Sequence, residues 1–202
     1  MAKKKAANKV AKKPSPKPLT AIYQFKLTLL GIQPTIWRRI QIPDCRLHTL
    51  HVHIQSAMGW SNKHFHRFDI KDERHGIPEH LDYDGDGSII DSKKIMMSDI
   101  VPKDGKKIAF RYTYDFGDNW EHEVLFEGIV EPDPKTKYPI CLEGERACPP
   151  EDCGGEMGYE HLLEVLNDPK HEEYLDLRQW AGDFNPERFS AKIATWQMRE
   201  YN

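Results

Sequence analysis

The stretch IAFRYTYDFGDNWEHEVLFEGI, residues 108–129, holds two strand-like runs on either side of a short polar turn. Ile108–Tyr114 is rich in aromatic and β-branched side chains, and residues 122–129 resume that character. Between them Phe116, Gly117, Asp118 and Asn119 supply turn formers. So short a connection makes a β-hairpin, and a hairpin commits its two strands to antiparallel pairing.

Working outward, residues 22–30 alternate, with Tyr23, Phe25, Leu27 and Leu29 on one face and Gln24, Lys26 and Thr28 on the other. That is the pattern of a half-buried strand. Residues 36–42 place Ile36, Ile40 and Ile42 on one face, and residues 64–70 return to period two. Between these runs, Leu50, Ile54, Ala57 and Met58 recur at helical spacing, with Thr49 as a candidate N-cap and Gly59 as the stop. After residue 155 the period lengthens: Tyr159, Leu162, Leu163 and Leu166 form one helical stripe. Two further helices are expected over residues 172–180 and 190–201. Strands gathered first and helices last predict an α+β fold. Its largely antiparallel sheet comes from the N-terminal two thirds, packed by one early helix and a C-terminal group.

Charge is unevenly spread. Of 29 basic residues, seven lysines fall within residues 1–18, which carry no acid. The remaining 22 basic residues face 32 acidic ones, a body of charge about −10. Such a body repels phosphate backbones, so the lysine-rich tail is the one segment that could meet a polyanion or nucleic-acid partner; its other reading is a solubilising extension. That tail, with almost no apolar side chains, predicts a disordered segment 1–18 before a single domain over 19–202. No apolar run long enough for a membrane span or a secretory signal follows it. A cytoplasmic location is expected, with Cys45, Cys141, Cys148 and Cys153 as thiols or metal ligands rather than disulfides.

Two local motifs fail on their own terms. Asp115, Phe116 and Gly117 copy a kinase triplet, but the glycine-rich loop and catalytic loop of a kinase are missing. Residues 82–88 begin like a calcium loop, but Lys93 stands where the bidentate glutamate belongs, so an Asp-Gly turn is expected.

A candidate polar cluster remains: His64, His66, Asp115, Asp118, Trp120, His122 and Asp152. His64 and His66, two apart on a predicted strand, point to one face. Cys148 and Cys153 are spaced as in a zinc knuckle, with Pro149 and Pro150 stiffening the loop between them. Cys148, Cys153, His64 or His66, and His122 are therefore candidate ligands for zinc. Without metal, the thiols serve as small buried hydrophobes, the histidines bond to carboxylates, and Asp115 and Asp118 cap a tight turn.

Several blocks resemble the plasmid pRiA4b ORF-3-like family. They are Gln24 to Leu30 with Pro34 to Arg39, Ala57 to Trp60 with His64 to Phe68, and Tyr114 to His122. The series continues through Cys141 to Gly144, Ala147 to Gly155 and Gly158-Tyr159, and closes with His171, Trp180, Gly182 and Asn185 to Phe189. Phe65 departs from the leucine usual between the two histidines. The resemblance implies a compact, cytoplasmic α+β domain and no established reaction. Some relatives are linked to mobile elements, but this chain has no serine or tyrosine recombinase constellation to match. The expectation is a non-catalytic binding or interaction domain, tied to plasmid or mobile-element biology. The alternative is a small metal-dependent hydrolase using the His/Cys/Asp cluster.

Overall fold

The computed structural model describes residues 21–81 and 88–200. The lysine-rich tail and the Asp82–Gly87 portion of the rejected calcium loop lie outside the described residues. In chain order the elements are β1 (Ile22–Leu29), β2 (Trp37–Pro43), α1 (Leu47–Met58), β3 (His66–Ile70), β4 (Glu73–Gly76), α2 (Pro78–Leu81) and β5 (Ile89–Asp91). Then follow α3 (Met97–Ile100), β6 (Ile108–Tyr114), β7 (Trp120–Val130), β8 (Ile140–Glu145), α4 (Gly155–Asn167), α5 (Tyr174–Ala181) and α6 (Ala191–Glu200).

All eight strands join one sheet in the order β5-β4-β3-β6-β7-β1-β2-β8. Every pairing is antiparallel except the short β4–β5 contact, which is parallel. The fold is therefore α+β with a mostly antiparallel sheet, as the hairpin at residues 108–129 requires.

Alternation decides which face is covered. Phe25, Leu27 and Leu29 of β1 lie on the same side as Ile40 and Ile42 of β2, Val124 and Phe126 of β7, and Tyr112 of β6; all are buried. Gln24, Lys26, Arg39 and Gln41 take the other side, where Arg39 pairs with Glu127 at 2.7 Å. One face dry and one wet is the usual state of an antiparallel sheet. Helix α1 covers the dry face, with Leu47, Leu50 and Ile54 fully buried. Gly59, at φ 101, closes it in the left-handed conformation that side chains disfavour. Helix α6 packs on α1 and on β8. Tyr159, Leu162, Ala194 and Met198 share the same core as the strands, so residues 155–200 are layered onto the sheet.

Three sequence expectations shift. Helix α1 starts at Leu47 with Arg46 as N-cap, which puts Thr49 inside the first turn rather than at the cap. Strand β3 begins at His66, so His64 sits in the preceding loop. Strands β4, β5 and β8 are short and only partly buried, and alternation over so few residues gives little signal.

Candidate functional site

The antiparallel register sets the floor of the site. His66 lies opposite Tyr114, which lies opposite Trp120. One row away, Phe68 faces Tyr112, which faces His122. All six point inward and are buried. His66 stacks on His51 of α1 at 3.4 Å with the rings nearly parallel. His51 is held at both nitrogens, by Tyr112 Oη at 2.8 Å and Asn62 Oδ1 at 2.7 Å. Since Asn62 Oδ1 only accepts, Nε2 carries the proton and Nδ1 receives the Tyr112 hydroxyl. His122 donates from Nδ1 to the Trp120 carbonyl at 3.1 Å and meets Trp60 edge to face. Burial pushes the pKa of His51 down to about 3, of His66 to about 2 and of His122 to about 3. These imidazoles are neutral parts of the core.

Above this floor three segments converge. The β6–β7 turn brings Asp115, whose Oδ1 accepts from the Gly117 amide at 2.9 Å and the Asp118 amide at 3.4 Å. That Asx cap matches the expected turn role and leaves Oδ2 free to face His64 Nδ1 at 3.6 Å. The cysteine loop brings Glu151 and Asp152, at 3.6 and 3.1 Å from His64 Nε2. His64 packs edge-on against Tyr114. Its Nε2 is buried, yet no acceptor is aligned to form a hydrogen bond with it. The contact to Asp152 is close enough for an ion pair but poorly directed. One nitrogen of His64 and one oxygen each of Asp115 and Asp152 lie within 4.8 Å of one another.

Glu151 locks the loop in place. Its Oε1 accepts from the Ser61 amide at 2.7 Å and hydroxyl at 3.0 Å, and the Tyr114 hydroxyl donates to the same carboxylate at 3.2 Å. Burial, with Glu151 beside it, pushes the Tyr114 phenol well above its ordinary pKa, so it stays a donor. On the turn side, Asp118 Oδ2 accepts from the Gly154 amide at 3.3 Å. Gly155 is required here: a Cβ would come within 2.7 Å of the Asp118 carbonyl, and its φ is +69.

The structure thus brings His64, Asp115 and Asp152 together, with Asp118 one step away. It leaves His66, His122 and Trp120 in the floor below, and no cysteine joins a metal-binding group with the histidines among the described residues. The expected Cys–Cys–His–His arrangement gives way to a His–carboxylate one, because the 148–153 loop turns its acids, not its thiols, toward His64. Cys148 lies instead near Arg38, and Cys153 near Asp118. Burial raises both thiols, Cys153 to about 12 with Asp118 adding to the shift, so both are protonated. Glu151, between the two cysteines, was not among the residues expected from the sequence, where an acid in a loop reads as solvated surface.

Behind the loop, a groove of about 410 Å³ runs between the end of α1, the cysteine loop and the α5–α6 region. Ala57, Met58, Trp60, Phe184, Phe189 and Ile193 line it, with Glu151, Asp183 and Arg188 among its polar residues. Arg38 is part of its lining and is only 1 % exposed. Its guanidinium donates to the carbonyls of Ala57, Trp37, Glu145 and Arg146 at 2.8–2.9 Å and stacks on Phe189. This sequence signal was legible only as an arginine at an inward position of a strand.

The sheet, its helical cover and this convergence of loops define an α+β domain with a polar cluster beside an apolar groove. The chain belongs to the plasmid pRiA4b ORF-3-like family, whose model matches residues 21–193. It is 36% identical over 177 residues to the uncharacterized protein y4hQ of Sinorhizobium fredii, covering 87% of this chain and 89% of that one. The crystal structure of MM3350, a protein of unknown function from Methanosarcina mazei, is 41% identical with a TM-score of 0.76. That match covers 85% of this chain and 96% of the other. Among the described residues no helix is long and apolar enough to cross a membrane.

Proposed function

We propose that the chain is a non-catalytic binding domain whose ligand seat is the groove behind the cysteine loop, and that the ligand is a small molecule with a largely apolar body. The observation that carries this reading is the groove itself. Its volume of about 410 Å³ falls in the range of small-molecule sites, roughly 300–1,000 Å³. Its walls are mostly apolar, and a few charged groups at fixed positions would orient what enters. The hydrolase alternative, in the form that draws on Cys148, Cys153 and His122, would need those thiols and that imidazole as ligands or bases. Those thiols are protonated and that imidazole is sealed against Trp60, which favours binding over chemistry. The link to plasmid biology rests on the family's description alone and adds nothing to this reading.

Saturation-transfer NMR of the full chain against a library of neutral, apolar fragments tests it. Ile193 lines the groove and is 59 % exposed, so Ile193→Arg places a charge there without disturbing the core. Fragments are expected to compete for one site and to bind at least about tenfold more weakly to that variant, a 1.4 kcal/mol effect. A library without binders, or binders indifferent to the substitution, would sink the proposal.

A further inference from the structure

The His64 cluster adjoins the groove through Glu151 but draws on other donors, and we propose that it binds a divalent transition-metal ion through His64, Asp115 and Asp152. The three side chains come from three different segments: the loop before β3, the β6–β7 turn and the cysteine loop. Ligands of one ion with bonds of about 2.0–2.1 Å stand roughly 3.3 Å apart in a tetrahedral shell. The 3.1 Å from His64 Nε2 to Asp152 is already at that spacing, and all three donor atoms fit within 4.8 Å.

Two further observations point to a ligand rather than to a bare ion pair. His64 Nε2 is buried and makes no hydrogen bond, although carboxylate oxygens lie 3.1 and 3.6 Å away. Asp115 is 8 % exposed, and its Oδ2 faces the cluster while Oδ1 is fully occupied by turn amides. A buried carboxylate with one oxygen fixed and the other turned to an imidazole is a preorganised donor. Glu151, anchored by Ser61 and Tyr114, stands by as a further oxygen.

The donor set selects the ion. One imidazole with two carboxylates suits Zn²⁺ or Mn²⁺, whereas Ca²⁺ and Mg²⁺ gain little from a nitrogen ligand. The two ligand carboxylates and the neighbouring Glu151 make the seat acidic, which favours a cation. Because the ligands tie the turn and the cysteine loop to the loop before β3, binding adds a further link among three segments already joined by hydrogen bonds.

The test is calorimetric titration of the tag-free, chelator-stripped full chain with Zn²⁺ and with Mn²⁺, alongside thermal melting with and without metal. One saturable site is expected, with a rise of several degrees in Tm. His64→Asn and Asp152→Asn are each expected to weaken binding at least tenfold; Asp152 has a largely exposed side chain, so its variant folds. Asp115→Asn keeps the Oδ1 turn cap and should lose metal while retaining the apo melting temperature. Cys148→Ser should bind as the parent does. No saturable binding at millimolar metal, binding that survives both His64→Asn and Asp152→Asn, or loss in Cys148→Ser would each overturn the assignment. So would a site that prefers Ca²⁺ and ignores His64. None of these outcomes bears on the groove, whose ligand is read by Ile193→Arg.

Discussion

His51 and His66 lie face to face at 3.4 Å inside the core, and neither can be charged without cost to both. His122 is fully buried two strands away. The fold holds their pKa values at about 3, 2 and 3, against an ordinary 6.5 in the unfolded chain. Between those values the unfolded chain takes up protons that the folded one refuses. Stability is therefore complete above pH 6.5 and falls as pH drops toward 3, by up to about 1.4 kcal/mol per pH unit for each histidine. Urea midpoints at pH 7.5, 6.5 and 5.5 should decline in that order. His66→Gln, neutral throughout, should flatten the decline by about one proton's worth, whatever it does to stability at pH 7.5. A midpoint that does not move with pH would show that these imidazoles are not held neutral.

At the scale of elements, β8 is an edge of the sheet, paired only with β2. An open edge offers unpaired amides and carbonyls to other chains. Helix α6 closes part of it with side chains. Thr195 Oγ1 accepts from the Cys141 amide at 2.9 Å and donates to the Cys141 carbonyl at 3.2 Å, while Arg199 Nε donates to the Pro139 carbonyl. Thr195→Val keeps the shape and removes both bonds to Cys141. It should cost about 2 kcal/mol in chemical denaturation. It should also raise the dimer or aggregate fraction in size-exclusion chromatography at high concentration. An unchanged midpoint with unchanged elution would mean that water, not α6, satisfies this edge. The helix itself was legible from its spacing, but its partner was not, because nothing in residues 190–201 says which strand they will cover.

For the whole molecule, charge separates the first 18 residues from the rest. Seven lysines precede a body of charge about −10, so the tail is the basic segment a nucleic acid would meet. Full-length protein should bind single- or double-stranded DNA at low salt, with affinity falling steeply as salt rises. A chain lacking residues 2–18 should show no binding in the same filter-binding assay. Binding that survives this deletion would place the contact on the acidic body and refute the charge argument.

Much of the architecture was written in the sequence. Period-two runs at residues 22–30, 36–42, 108–114 and 122–129, with a turn of Phe116 to Asn119, are local patterns, and local patterns fix strands, hairpins and which face is dry. The same holds for α4, α5 and α6, and for the polar richness of residues 114–122 and 148–155. What the sequence by itself could not decide was which atoms meet. His64 and His66, two residues apart, were expected on one strand face. The strand starts only at His66, so one joins the core and the other the carboxylates. The cysteine loop was expected to offer its thiols, yet it offers Glu151 and Asp152. Its direction is set by contacts 37 and 90 residues distant in sequence, to Tyr114 and Ser61. Such long-range choices depend on the packing of all segments at once, and only the tertiary structure makes them.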